Sequence, residues 1–219
     1  PKSIAIIMDG NRRYATRQEN KSTWATLTAQ EFGEHGLLVQ AHGYQIVDRV
    51  ALSKDNLKRP QVEVDTLMNL CKNEFAGLCK PGGSIERNRI KIRLFGDLSM
   101  LPEDVRDSML MSEKQTKDYE NGTLNICICY SSKHEILDAV ESQAYNKATG
   151  KQKQVTRSSF ERELCGEENV RPDILIRTSN EVRLSNFMLY QTNDSQFQFI
   201  KALWPEFSVW DFIKIIFEY

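Results

Sequence analysis

Five short runs of β-branched or alternating apolar residues recur along this chain, and longer stretches of helical character separate them. The runs span residues 3–8, 44–53, 89–96, 123–131 and 172–178, and each ends near glycine or polar residues. Between them, residues 59–78 and 102–120 carry apolar side chains at three- and four-residue spacing. Pro60 and Pro102 fit first-turn positions, where a missing N–H is harmless. Ser132 stands three residues before Glu135, a capping-box pattern for a helix running to 148. Strand and helix in alternation imply an α/β fold: a mainly parallel sheet covered by helices on both faces. Residues 146–159 read as a polar loop within one domain, and no internal repeat is present. At 219 residues, a single domain over 1–219 is the expectation.

The chemistry-bearing residues follow the strands. In "AIIMDGNRRYA", residues 5–15, an apolar run stops abruptly at Asp9, Gly10, Asn11, Arg12 and Arg13. Ligands of parallel sheets bind beyond the carboxyl ends of the strands, so this run delivers Asp9 to that edge. Gly10 and Asn11 then form a turn, with Arg12 and Arg13 at a helix start. Backbone N–H groups there and arginine forks together suit phosphate. A carboxylate beside phosphates calls for a bridging cation, and Mg²⁺ is the usual one. A second cluster follows the run at 172–178: Arg177, Thr178, Ser179, Asn180, Glu181, Arg183 and Ser185. Two arginines six residues apart, with hydroxyls between them, suit a second diphosphate. A third set, Ser53, Asn56 and Arg59, follows the run at 44–53.

Composition narrows the alternatives. A net charge of −1 argues against a non-specific nucleic-acid binder, which needs a basic excess. No apolar run reaches the roughly 18 residues of a transmembrane segment. Five cysteines without a CxxC pair point to a reduced compartment and away from zinc. Beginning at Pro1 and ending in "FIKIIFEY", the chain reads as processed or trimmed, with any targeting peptide outside it.

These motifs resemble those of the cis-prenyltransferase family, the Z-type prenyl diphosphate synthases. "IAIIMDGNRRYA" resembles its first signature nearly residue for residue, "LSKDNLKRPQVEVDTLMNL" its second, and "PDILIRTSNEVRLSNFMLYQ" with "LWPEF" its last. The resemblance implies a parallel sheet with a hydrophobic tunnel, Mg²⁺ as cofactor, a homodimer, and dimethylallyl or isopentenyl diphosphate as substrates. It implies that Asp9 is the metal-binding catalytic acid, with Asn11, Ser53 and Asn56 as further catalytic residues. Gly10, Asn11, Arg12, Arg13 and Arg59 are then expected on substrate, and Arg177, Arg183 and Ser185 on the second diphosphate.

Several positions depart from the family pattern. Ala25 and Thr26 stand where a Gly-His pair belongs, and a shifted register would bring Gly33 and His35 there. Asp48 and Arg49 replace core residues and are expected to pair or to face the site. Asn180 replaces a glycine and can adopt the same left-handed turn. Gln196 replaces the metal-binding glutamate of many bacterial members, and Asp194 nearby would point the other way on a strand. The C-terminal Arg-x-Gly tail is absent from the sequence. Changes concentrated around the second substrate favour head-to-middle joining of two dimethylallyl diphosphates, as in the plant enzyme lavandulyl diphosphate synthase. Ordinary Z-type elongation with isopentenyl diphosphate comes next, and a catalytically silent partner subunit last. A plant short-chain member would reside in the chloroplast, and another member in the cytoplasm or at a membrane periphery.

Overall fold

A computed structural model describes residues 1–17, 46–78, 80, 82–164 and 171–219. Among these, six strands form one sheet, each parallel to its neighbours: β1 (Ser3–Ile7), β2 (Ile46–Ser53), β3 (Ile90–Phe95), β4 (Gly122–Tyr130), β5 (Ile174–Arg177) and β6 (Gln196–Phe199). Their spatial order is β3-β4-β2-β1-β5-β6. The described helices are α1 (Asn11–Arg17), α2 (Gln61–Leu78), α3 (Ser84–Arg87), α4 (Glu103–Thr116), α5 (Ser132–Ala148), α6 (Arg157–Glu163) and α7 (Val209–Glu218).

The short β-branched runs become strands because both faces of a parallel sheet are buried. Ile4 and Ile6 pack on one face with Leu67, Met68 and Phe75 of α2, Val105 and Met109 of α4, and Phe212 and Ile215 of α7. Ala5 and Ile7 alternate to the other face, with Leu175, Cys127, Phe187 and Met188. Each fully buried aliphatic side chain contributes about 1.5–3 kcal/mol, so slipping the register of β1 by one residue would be prohibitive.

Helix starts differ in detail from the sequence reading. Pro60 and Pro102 stand just before α2 and α4, and their carbonyls accept from Glu63 and Arg106. The residue preceding α5 is Ser131, not Ser132, and no capping box forms. Glu135 accepts instead from Tyr130 Oη at 2.5 Å and from Gln191. The polar stretch 146–159 contains the start of α6, where Thr156 and Ser159 form a reciprocal cap. Helix α7 was not among the elements expected, and β6 was expected only as the strand carrying Gln196. Four residues reading "QFQF" are too short for a periodic signal.

Topology decides where a site can lie. From β1 the chain moves to one side of the sheet through β2, and it returns on the other side at β5. The crevice between the carboxyl ends of β1 and β5 is the switch point at which parallel α/β sheets bind ligands.

Candidate active site

Asp9 and Arg177 meet in that crevice. Arg177 is the last residue of β5, and its side chain is only 3% exposed. Its Nη2 donates to Asp9 Oδ2 at 2.7 Å, and its Nη1 donates to Ser185 Oγ at 2.7 Å and to the Arg183 carbonyl. The other Asp9 oxygen, Oδ1, accepts from the Gly10 N–H at 2.7 Å. Thr178 fixes the backbone: its hydroxyl donates to the Asp9 carbonyl at 2.7 Å and accepts from the Asp9 N–H at 3.0 Å. The Trp204 N–H also reaches the Asp9 carbonyl, at 3.0 Å. Asp9 therefore sits in a frame built from β1, β5 and the "LWPEF" segment.

Gly10 is required by that frame. Its φ is +103°, and a Cβ there would lie 2.8 Å from Leu203 Cδ2 and 3.0 Å from Ser179 Cβ. Asn11 opens α1 with its amide nitrogen toward the Met8 carbonyl, while its buried Oδ1 has no hydrogen-bond partner among the described residues. Arg13 Nη2 donates to Ser179 Oγ and lies 3.9 Å from Asp9 Oδ1. Ser179 and Asn180 both have positive φ, 75° and 59°, so Asn180 adopts the left-handed turn expected of it. The Ser179 and Asn180 N–H groups are held by the Ala202 and Ile200 carbonyls.

On the other flank the pairing of β2 with β4 shifts register after Val50, which re-aims the end of β2. There the Ser53 N–H and hydroxyl both donate to Asn56 Oδ1, at 2.8 and 2.9 Å. Asn56 thus holds Ser53 in place.

A cleft of about 540 Å³ gathers these elements. Asp9, Gly10, Asn11, Arg12, Arg13, Ser53, Asn56, Arg59, Arg183 and Ser185 all line it. Four arginines therefore face two carboxylates, Asp9 and Glu181, which gives the cleft the field of an anion site. Arg177 is the exception among the expected residues, for it lies beneath the wall. Ile7, Met8, Leu52, Leu67, Tyr130 and Phe187 also line it, so charged and apolar surface meet in one cleft.

Other expectations resolve differently. Asp48 pairs but does not face the cleft: it is 1% exposed within the sheet, and Asn125 Nδ2 donates to its Oδ1 at 2.7 Å. Burial pushes its carboxyl up to about 7, against the pull of the Asn125 hydrogen bond and of Arg93. Gln196 lies beside Ile174 at the amino end of β5, the edge of the sheet opposite Asp9. It donates to the Glu218 carbonyl. Asp194 precedes β6 instead of lying on it, and it pairs with Arg171 at 2.9 Å. Ala25, Thr26, Gly33, His35 and the Arg49 side chain lie outside the described residues. Thr178 and Trp204 were not singled out as positioning groups, because only the adjacency of β5 and "LWPEF" to β1 gives them that role.

The fold and cleft define a parallel α/β protein with an arginine-lined site at its switch point. The chain matches the undecaprenyl diphosphate synthase model over residues 7–219 and belongs to that family, the cis-prenyltransferases. It is 37% identical over 226 residues to the human dehydrodolichyl diphosphate synthase complex subunit, covering 100% of this chain and 67% of that protein. It is 36% identical over 223 residues to tritrans,polycis-undecaprenyl-diphosphate synthase (geranylgeranyl-diphosphate specific) of Pyrococcus horikoshii, covering 100% of this chain and 84% of that protein. The crystal structure of lavandulyl diphosphate synthase from Lavandula x intermedia, in complex with dimethylallyl diphosphate, superposes with a TM-score of 0.91. That match covers 100% of this chain and 94% of the other at 24% identity, a likeness of fold alone.

These relatives shift the weight between the expected reactions. Animal and archaeal synthases named for polyprenyl products are similar over the whole chain at more than a third identity. Head-to-middle coupling has only the likeness of fold behind it, and a chloroplast location has no support. Among the described residues no helix is long and apolar enough to cross a membrane.

Proposed function

We propose that this chain is a Z-type prenyl diphosphate synthase that extends an allylic diphosphate with isopentenyl diphosphate. The observation that carries this reading is one cleft that brings together Asp9, arginines from three separate motifs and apolar side chains. In the reaction the allylic C–O bond breaks and diphosphate leaves with the electron pair. The isopentenyl alkene then bonds to the allylic carbon, and loss of one proton restores a double bond. Products are the diphosphate five carbons longer, inorganic diphosphate and a proton.

Each part of the cleft has work in that sequence. Arg12, Arg13 and the Gly10 turn receive the leaving diphosphate, where negative charge grows as the bond breaks. Arg183 and Ser185 hold the diphosphate of the second substrate on the other rim. Arg59, Asn56 and Ser53 flank the allylic group, with Asn56 orienting the Ser53 hydroxyl. The apolar side chains take the prenyl chain and keep water from the cationic carbon.

Asp9 fits Mg²⁺ as one carboxylate at the mouth of a phosphate site. Among the described residues no group of three or more acidic, cysteine or histidine side chains forms a metal cage. That suits Mg²⁺, which is commonly held by one or two carboxylates together with substrate phosphates. When bound, the ion neutralises diphosphate charge and favours ionisation. A homodimer, or a complex with a second subunit as the human relative's name describes, is proposed by relationship.

The test is incubation with Mg²⁺ and labelled isopentenyl diphosphate, offering dimethylallyl or geranylgeranyl diphosphate as acceptor, followed by identification of the dephosphorylated alcohols. Linear alcohols with added Z-units are expected. Branched alcohol from dimethylallyl diphosphate alone, with no elongation, would overturn the assignment.

A further inference from the structure

Glu181 lies between two arginines that the motifs assign to different diphosphates. Its Oε1 accepts from Arg13 Nη2 at 3.3 Å and its Oε2 from Arg183 Nη1. Arg13 belongs to the segment after β1, and Arg183 to the loop after β5. The cause is local: two successive left-handed residues, Ser179 and Asn180, turn the chain so that the next side chain lines the cleft. A carboxylate offers guanidinium groups the same paired-oxygen geometry that phosphate offers. Each guanidinium gives one nitrogen to one Glu181 oxygen, so Glu181 occupies, with one negative charge, donors that a diphosphate would take.

Asp9 is held differently: Arg177 and the Gly10 N–H satisfy its two oxygens at 2.7 Å, and it meets Arg13 only at 3.9 Å. The side chains of Arg13 and Arg183 are 49% and 63% exposed, so their pairs with Glu181 are screened and readily exchanged. A ligand with several charges displaces Glu181, which takes the arginines back when that ligand departs.

We propose that Glu181 is a resident competing anion: it holds Arg13 and Arg183 in the resting cleft, weakens ground-state binding of diphosphate, and promotes its release after reaction. This rests on the reading of the cleft as a diphosphate site. It gives the loop after β5 a task beyond holding the second substrate, that of clearing inorganic diphosphate between cycles.

The experiment is calorimetric titration of the intact chain with inorganic diphosphate, with and without Mg²⁺, for wild type, Glu181→Gln and Glu181→Asp. Glutamine keeps the shape and removes the charge; aspartate keeps the charge but is too short to span both arginines. Glu181→Gln should bind about three- to tenfold more tightly, the range that two exposed ion pairs correspond to. Glu181→Asp should fall between it and wild type, and carries the test alone if the glutamine variant fails to fold. In an Arg183→Ala background most of the gain from Glu181→Gln should disappear, a coupling that a change in folding alone would not produce. Equal or weaker binding by both Glu181 variants would overturn the inference while leaving the diphosphate site standing. No binding by folded wild type would overturn the reading of the cleft, and the inference with it.

Discussion

Arg177 grips Asp9 from below, with Nη2 2.7 Å from Oδ2, one residue at the end of β5 and the other just past the end of β1. The guanidinium is almost fully buried while the carboxylate is 31% exposed at the mouth of the cleft. A buried cation is tolerated only with its partners in place. Here they are Asp9, Ser185 and the Arg183 carbonyl. Arg177 thus orients the carboxylate that lines the cleft, and the two arginines of the last motif stand in different surroundings.

Replacing Asp9 by asparagine should leave the frame of Thr178 and Trp204 intact and remove the charge. Turnover is expected to fall on the order of a thousandfold, the scale of losing one group that stabilises developing charge. Melting should also fall, by about 5–10 °C, because Arg177 keeps its charge in a buried site with only neutral acceptors left. Steady-state rates with Mg²⁺ and both substrates decide this, and activity within about tenfold of wild type would remove Asp9 from its role.

The arginines should separate. Arg177→Ala leaves Asp9 without its counter-ion and empties a buried site, so it should lower stability by about 3 kcal/mol and reduce kcat. Arg183 is 63% exposed. Arg183→Ala should instead raise KM for the second substrate with melting unchanged. Denaturant titrations beside kinetics test the distinction; indistinguishable effects of the two changes would show that burial does not divide their roles.

Gly10→Ala combines a strained φ with contact against Leu203 and Ser179. It should destabilise the chain by about 1–3 kcal/mol and weaken diphosphate binding, since the turn carrying Asn11 to Arg13 must shift. A variant with wild-type melting and wild-type diphosphate affinity would contradict this.

Asp48 gives a pH dependence of defined sign. Its carboxyl is raised to about 7 from an ordinary 3.8, chiefly by burial. Between those values the folded chain keeps a proton that the unfolded chain has lost. The carboxyl therefore favours folding at acid pH, and this contribution is lost as pH rises towards and through about 7. From pH 5 to pH 8 the loss is on the order of 3 kcal/mol. Asp48→Asn abolishes this titration, so its melting temperature should gain on wild type over that range, by about 5–10 °C. Thermal melts of both forms at several pH values test it; a constant gap would show that Asp48 titrates normally.

Much of the fold was legible because apolar strands of a parallel sheet are short, β-branched and punctuated. Runs read at 3–8, 44–53, 89–96, 123–131 and 172–178 became β1 to β5, and within the described residues their ends are displaced by two residues or fewer. Elements with weak local signals were missed or barely marked. β6 is four residues of alternating amide and aromatic, and α6 is hidden in a polar stretch whose cap is two hydroxyls.

The sequence by itself determined the identities at the site, since acids, arginines and hydroxyls after strands that end at one edge must converge whatever the details of packing. Ten of the eleven expected residues do line one cleft. Tertiary structure alone decided which of them face the cleft. Arg177 and Arg183 are the same residue type in the same motif, yet one is buried under Asp9 and the other stands in solvent. Asp48 reads as a misplaced charge until the pairing of β2 with β4 sets Asn125 beside it. Gln196 stands in a site motif, but the parallel register of β5 and β6 carries it to the far edge of the sheet. Burial and partnership come from strand neighbours distant in sequence, and residue identity alone does not encode them.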